Sequence, residues 1–143
     1  MRLSRKVVTF VRAARVAHLA TVDGAGQPHV IPICFVLDGE EIFSPIDEKP
    51  KQSPPRGLKR LRNIGENPKI ALLIDRYEED WRKLAYVLVI GTAKVLLRGK
   101  RHERAIGLLR RKYPQYRSMA LQKRPIIRIS PTRAVSWAFS KAN

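Results

Sequence analysis

Two turns too short to hold a helix, DGAGQ at 23–27 and Asp38-Gly39, join three runs that read as strands: 17–22, 28–37 and 41–46. A parallel pair needs a crossover of a dozen or more residues, so these connections predict an antiparallel meander. On the second run His29, Ile31, Ile33, Phe35 and Leu37 share one face, and Val30, Pro32, Cys34 and Val36 the other. Both faces are largely apolar, which predicts burial on both sides. Pro32 removes a ladder donor, so it belongs at a bulge, at an edge, or where something other than a strand lies alongside, such as a planar ligand.

The rest of the chain alternates the same two patterns. Residues 4–15 have the spacing of an amphipathic helix, with Ser4 as N-cap and Val7, Val8 and Val11 inward. A short helix is predicted over 58–64 with Leu58, Leu61 and Ile64 buried, closed by Asn67-Pro68. A strand over 69–74, an acidic loop over 75–83 and a long strand over 85–97 follow, with Gly91 marking a bend or bulge. A helix is expected over 98–113, then strands over 124–130 and 133–139 joined by a turn at Pro131-Thr132. The sum is a mainly β, α+β chain: six or seven antiparallel strands in a closed barrel with helices packed outside, one domain spanning 1–143.

A net charge of +17 asks for an anionic partner: nucleic acid, or an anionic cofactor or substrate. A basic proteome is the third explanation. Aromatics are only 7% and none interleaves with the basic clusters as a stacking platform requires, which makes nucleic acid a poor fit. The single Cys34 agrees with a reducing compartment, and no apolar run reaches the roughly 20 residues of a membrane helix, so a cytoplasmic protein is expected.

Several chemistries are missing. Gly24-Ala25-Gly26 lies in a hairpin with His29 where a dinucleotide fingerprint needs its third glycine. Gly99-Lys100-Arg101 lacks the upstream glycine and hydroxyl of a P-loop, and His102-Glu103 has no second His. His18, His29 and His102 have no Cys or carboxylate at ligand spacing, so no metal is expected. Ser44 sits in no nucleophile elbow, and Cys34 between Ile33 and Phe35 reads as a small buried hydrophobe. Catalysis without such side chains needs a cofactor.

Between Lys49 and Lys69 lie seven Lys or Arg and one acid, Glu66, at a strand–loop–helix junction. A helix N-terminus with this many cations around it makes a phosphate seat. A solvated basic loop explains the same charge equally well.

The order ATVDGAGQPHVIPICFVLDGEEIFSPIDEKPK, then LKRLRNIGENPKIALLI, then VIGTAKVL, resembles the pyridoxamine 5'-phosphate oxidase-like split-barrel superfamily. Its most specific pieces are Asp47-x-Lys49-Pro-Lys51, Leu61-Arg62-Asn63-Ile64, Asn67-Pro68-Lys69 and the Pro131…Trp137 pattern, which look like the deazaflavin (coenzyme F-420) branch. The resemblance implies a split barrel and a homodimeric oxidoreductase, with coenzyme F-420, or FMN as the alternative, at the subunit interface and hydride moving to or from a small organic substrate. Val30, Ile31, Pro32 and Ile33 would line the ring, and Phe43, Ser44, Pro45 and Ile46 would meet ring and ribityl chain. Lys49, Lys51, Lys59 and Arg60 would take the phosphate, with Arg62 and Asn63 nearby. Eleven Lys or Arg against Glu103 alone over 98–128 either guide the acidic tail of the deazaflavin coenzyme or form an ordinary charged face. Tyr86 and Trp137 are candidate pocket walls, though burial in the core is the commoner fate of such residues. A haem protein is poorly served, since no His is placed as an axial ligand.

Overall fold

A computed structural model describes residues 2–47, 58–138 and 140. The elements are α1 (Arg5–Ala13), β1 (Ala17–Val22), β2 (Pro28–Ile33), β3 (Val36–Asp38), β4 (Glu41–Pro45), α2 (Lys59–Glu66), β5 (Lys69–Arg76), β6 (Ala85–Leu96), α3 (Lys100–Lys112) and β7 (Ile126–Ala138). Every strand pairs antiparallel, in the sheet order β2-β1-β5-β6-β7-β4-β3. β2 and β3 stand at opposite edges of that order yet are separated by two residues, Cys34 and Phe35. The sheet must therefore curl until its edges meet. The predicted mainly β barrel with flanking helices is what forms, its edges joined by chain rather than by a ladder.

The expected single strand over 28–37 is thus two, and the three-strand meander does not exist. Side chains replace the ladder at the break. The Tyr113 hydroxyl accepts from the Phe35 N–H at 3.1 Å and donates to the Arg15 carbonyl at 2.8 Å. The Ser44 hydroxyl donates to the Cys34 carbonyl at 2.8 Å. An unsatisfied buried N–H costs about 1–3 kcal/mol, which the Tyr113 hydroxyl averts. Burial pushes that phenol up to about 12.

Two apolar clusters hold the molecule together. The barrel interior takes Leu19, Phe35, Ile42, Ile46, Leu72, Ile74, Val89 and Ile129, closed by Val7 and Val11 of α1 and Leu61 and Ile64 of α2. The Ser4 hydroxyl accepts from the Val7 N–H and starts α1, as its sequence predicts. The second cluster lies between α3 (Ala105, Ile106, Leu109) and the outward residues Val36, Phe43 and Ile126. So α3 covers the outer face of β3, β4 and the start of β7.

Pro131 and Thr132 do not turn the chain. β7 runs straight through them along β6, and the register slips between Ile90 and Gly91. The extra residue, Thr132, donates its hydroxyl to the Ile90 carbonyl at 3.1 Å. At such a bulge the missing N–H of Pro131 is no loss. A Cβ on Gly91 would collide with the Ser130 carbonyl oxygen and lie 3.0 Å from the Pro131 Cα. We expect Gly91→Ala to destabilise the fold by about 1–3 kcal/mol in urea denaturation. Gly107→Ala in α3, where a Cβ meets nothing within 4 Å, should stabilise it by about 0.5–1 kcal/mol. Equal effects of one sign would mean that the bulge places no demand on Gly91.

Candidate functional site

α2 lies across the β1–β2 turn and is tied to it at both ends. Near its start, Lys59 Nζ sits 3.5 Å from Asp23 Oδ2; at its end, Glu66 Oε1 accepts from the Gly24 N–H at 2.8 Å. The Asp23 carboxyl is held below its ordinary range chiefly by the Gln27 N–H, helped by the Ala25 N–H and by Lys59. Leu58 at the N-cap offers no side-chain acceptor, so the start of α2 has no side-chain cap among the described residues.

Helical phase then sorts the candidate residues of α2. Asn63 is fully buried, its Nδ2 donating to Thr21 Oγ1 at 3.0 Å, while its Oδ1 has no partner among the described residues. Arg62 points to solvent. Arg60 is half-buried, and its Nε is buried without an acceptor among the described residues. Burial pulls the guanidinium below its ordinary value, opposed by the nearby Asp47 and Tyr116.

Asp47 lies two residues beyond β4 and is nearly sealed at 4% exposure. The Tyr116 hydroxyl donates to its Oδ2 at 2.7 Å. Arg124 donates to the Ile46 carbonyl at 2.6 Å and the Asp47 carbonyl at 2.7 Å. Burial, then the Asp47 hydrogen bond, pushes the Tyr116 phenol well above its ordinary range. Asp47 is thereby held in place, and its charge is felt by Arg60. Lys49 and Lys51, with the rest of 48–57, lie outside the described residues. Sequence reasoning missed this tie; the Asp47-x-Lys49-Pro-Lys51 motif marked the place, but nothing in the spacing pointed to Tyr116 or Arg124.

β2 is an edge strand, bare on its outer side, which corrects the expectation of burial on both faces. Val30 is 64% exposed and Pro32 is exposed, while Ile31 packs against the barrel core and Ile33 lies in it. Pro32 sits opposite His18 on β1, at the edge where a proline is tolerated. Of the four residues assigned to the ring, two therefore present side chains outward. Phe43, Ser44, Pro45 and Ile46 are all buried: Phe43 beneath α3, Ser44 on the Cys34 carbonyl, Ile46 in the barrel.

Tyr86 and Trp137 are not core residues. They face each other across β6 and β7 on the outer side of the sheet, 37% and 42% exposed, with ring centroids 6.0 Å apart. The outer face continues through Leu88 opposite Val135 and Leu73 opposite Leu88, to His18 opposite Leu73. An apolar band thus runs from Trp137 to Val30 over five strands. Among the described residues no group of His, Cys, Asp or Glu is placed to hold a metal. No described helix is long and apolar enough to cross a membrane. The arrangement offers an open apolar surface on the sheet and a half-buried cation on α2.

The chain is similar to a 5a,11a-dehydrotetracycline/5a,11a-dehydrooxytetracycline reductase of Streptomyces rimosus, with 28% identity over 96% of this chain and 84% of that protein. Its fold matches the conserved hypothetical protein Rv2991 of Mycobacterium tuberculosis at a TM-score of 0.79, with 21% identity over 98% of this chain and 88% of that one. It also matches HutZ, the heme storage protein of Vibrio cholerae, at a TM-score of 0.72, with 20% identity over 96% and 95%. The family model described as pyridoxamine 5'-phosphate oxidase matches residues 3–138. Curled sheet, bare edge strand and sequence match agree: the chain belongs to the pyridoxamine 5'-phosphate oxidase family.

Proposed function

We propose that this protein is a cytoplasmic oxidoreductase that binds coenzyme F-420, with FMN as the alternative, at the interface of a homodimer. One observation carries the reading: the bare outer face of β2 lies on the same barrel as the half-buried Arg60, whose buried Nε lacks an acceptor among the described residues. A phosphate oxygen would satisfy that donor, and Lys59 and the uncapped start of α2 add attraction for it. Val30 and Pro32 offer a flat apolar seat for a ring, with no side chain of the described residues packed over them. When bound, the coenzyme supplies the hydride chemistry, and no side-chain base is required.

The chain's own residues then bind, orient and exclude water. Asp47, held by Tyr116, attracts the Arg60 guanidinium, and the outer apolar band from Leu73 to Trp137 is the surface a second copy would cover. The reductase relative supports the reaction class. The HutZ likeness favours haem as a competing ligand. Against haem, His102 is buried with its Nε2 at 2.8 Å from the Arg124 carbonyl, which leaves His18 and His29.

Titrating coenzyme F-420, FMN and haem side by side decides among them. We expect F-420 to bind most tightly and Arg60→Ala to weaken it by roughly tenfold or more, as loss of a charge-assisted bond predicts. Arg117→Ala, an exposed cation elsewhere, should change nothing. Unaltered affinity in Arg60→Ala would place the phosphate elsewhere. In sedimentation velocity the protein should run as a dimer and Leu73→Glu as a monomer, because the charge falls in the apolar band. A monomeric wild type that still binds coenzyme would refute the interface.

A further inference from the structure

A cavity of about 710 Å³ opens where α1 meets the end of β5. That volume suits a small organic ligand. Its apolar lining is Phe10, Ala13, Ala14 and Val16. Its rim carries Arg5, Lys6, Arg15 and Arg76, and one carboxylate, Asp75, which faces His18 at 3.7 Å. None of the four cations has an ion-pair partner among the described residues.

Two of these cations are oriented by a carbonyl and an aromatic ring without being neutralised. Arg76 donates to the Lys83 carbonyl at 2.6 Å and lies 5.5 Å from the centre of the Phe10 ring. Arg15 donates to the Lys112 carbonyl and lies 5.6 Å from the centre of the Tyr113 ring. Guanidinium planes oriented beside an apolar lining favour flat ligands with an acidic group, since arginine both stacks and forks onto carboxylates.

The cavity also adjoins the face assigned to the ring. Asp75 lines it and touches His18, and His18 is paired with Pro32 one strand spacing away, about 4.8 Å. Val16 lines it too, and the next residue, Ala17, is paired with Ile33.

We propose that this cavity is the substrate subsite beside the coenzyme face, and that it takes planar organic anions: an apolar conjugated body bearing a carboxylate or phenolate. The substrate role rests on the coenzyme reading above; the ligand class rests on the cavity alone.

The test is calorimetry on the coenzyme-free protein at low salt with two matched probes, 2-naphthoate and its neutral amide, 2-naphthamide. The acid should bind roughly tenfold tighter than the amide. Arg76→Gln should remove that advantage and leave amide binding unchanged. Ala13→Trp, on the exposed side of α1, should fill the cavity and abolish both while coenzyme still binds. Equal affinity for acid and amide, or acid binding that survives Ala13→Trp, would overturn the assignment. Naphthoate binding by a wild type that binds no coenzyme would remove the substrate role together with the parent reading, and leave the ligand class standing.

Discussion

The molecule depends on how one strand changes edges. β2 and β3 are a single extended run broken at Cys34 and Phe35, and the Tyr113 hydroxyl and Ser44 supply the hydrogen bonds that the break takes from the ladder. Because the run serves both edges of the sheet, the curl of the barrel follows from the break. So does the contrast between its two halves. Val36, after the break, is covered by α3; Val30 and Pro32, before it, are bare. A buried half anchors an exposed half, and the exposed half is the surface available for a ligand.

Charge is arranged around this frame and not spread evenly. Asp38 draws Arg104 first, through two hydrogen bonds at 2.7 and 3.2 Å, and also feels Arg12 and Arg101, so one carboxylate is shared by α1 and α3. Its carboxyl is held below the ordinary range, and the stabilisation it lends, screened at this exposed site, fades as pH falls through that lowered value. Arg60 is treated differently. It is drawn inward beside Asp47, whose Oδ2 is taken by Tyr116, and its Nε keeps a donor unmet among the described residues. Surface cations make a protein soluble and attract anions from a distance; a half-buried one with an open donor selects where an anion settles.

Much of the fold was legible wherever the controlling interactions are local. The strand-forming runs at 17–22 and 85–96 and the Ser4 cap are set by residues close in sequence. The break at Cys34–Phe35 was hidden because its cause, Tyr113, lies 78 residues away and both neighbours are apolar. Pro131-Thr132 has the composition of a turn, yet the cross-strand glycine absorbs the extra residue and the strand continues. For Tyr86 and Trp137 the sequence leaves pocket wall and core both open, with core the commoner fate of aromatics; only the register of β6 against β7 places them outside together. In the candidate site, the count of cations showed in the chain, but which of Arg60 and Arg62 turns inward depends on the phase of an eight-residue helix. The Asp47–Tyr116 tie joins residues 69 apart and left no trace in any local pattern.

The most direct measurement is a crystal structure of the protein grown with saturating coenzyme F-420. The account predicts the ring lying over Val30 and Pro32, with a phosphodiester oxygen accepting from the Arg60 Nε. A ring bound elsewhere, or an Arg60 donor satisfied by the protein's own atoms in the bound state, would contradict it.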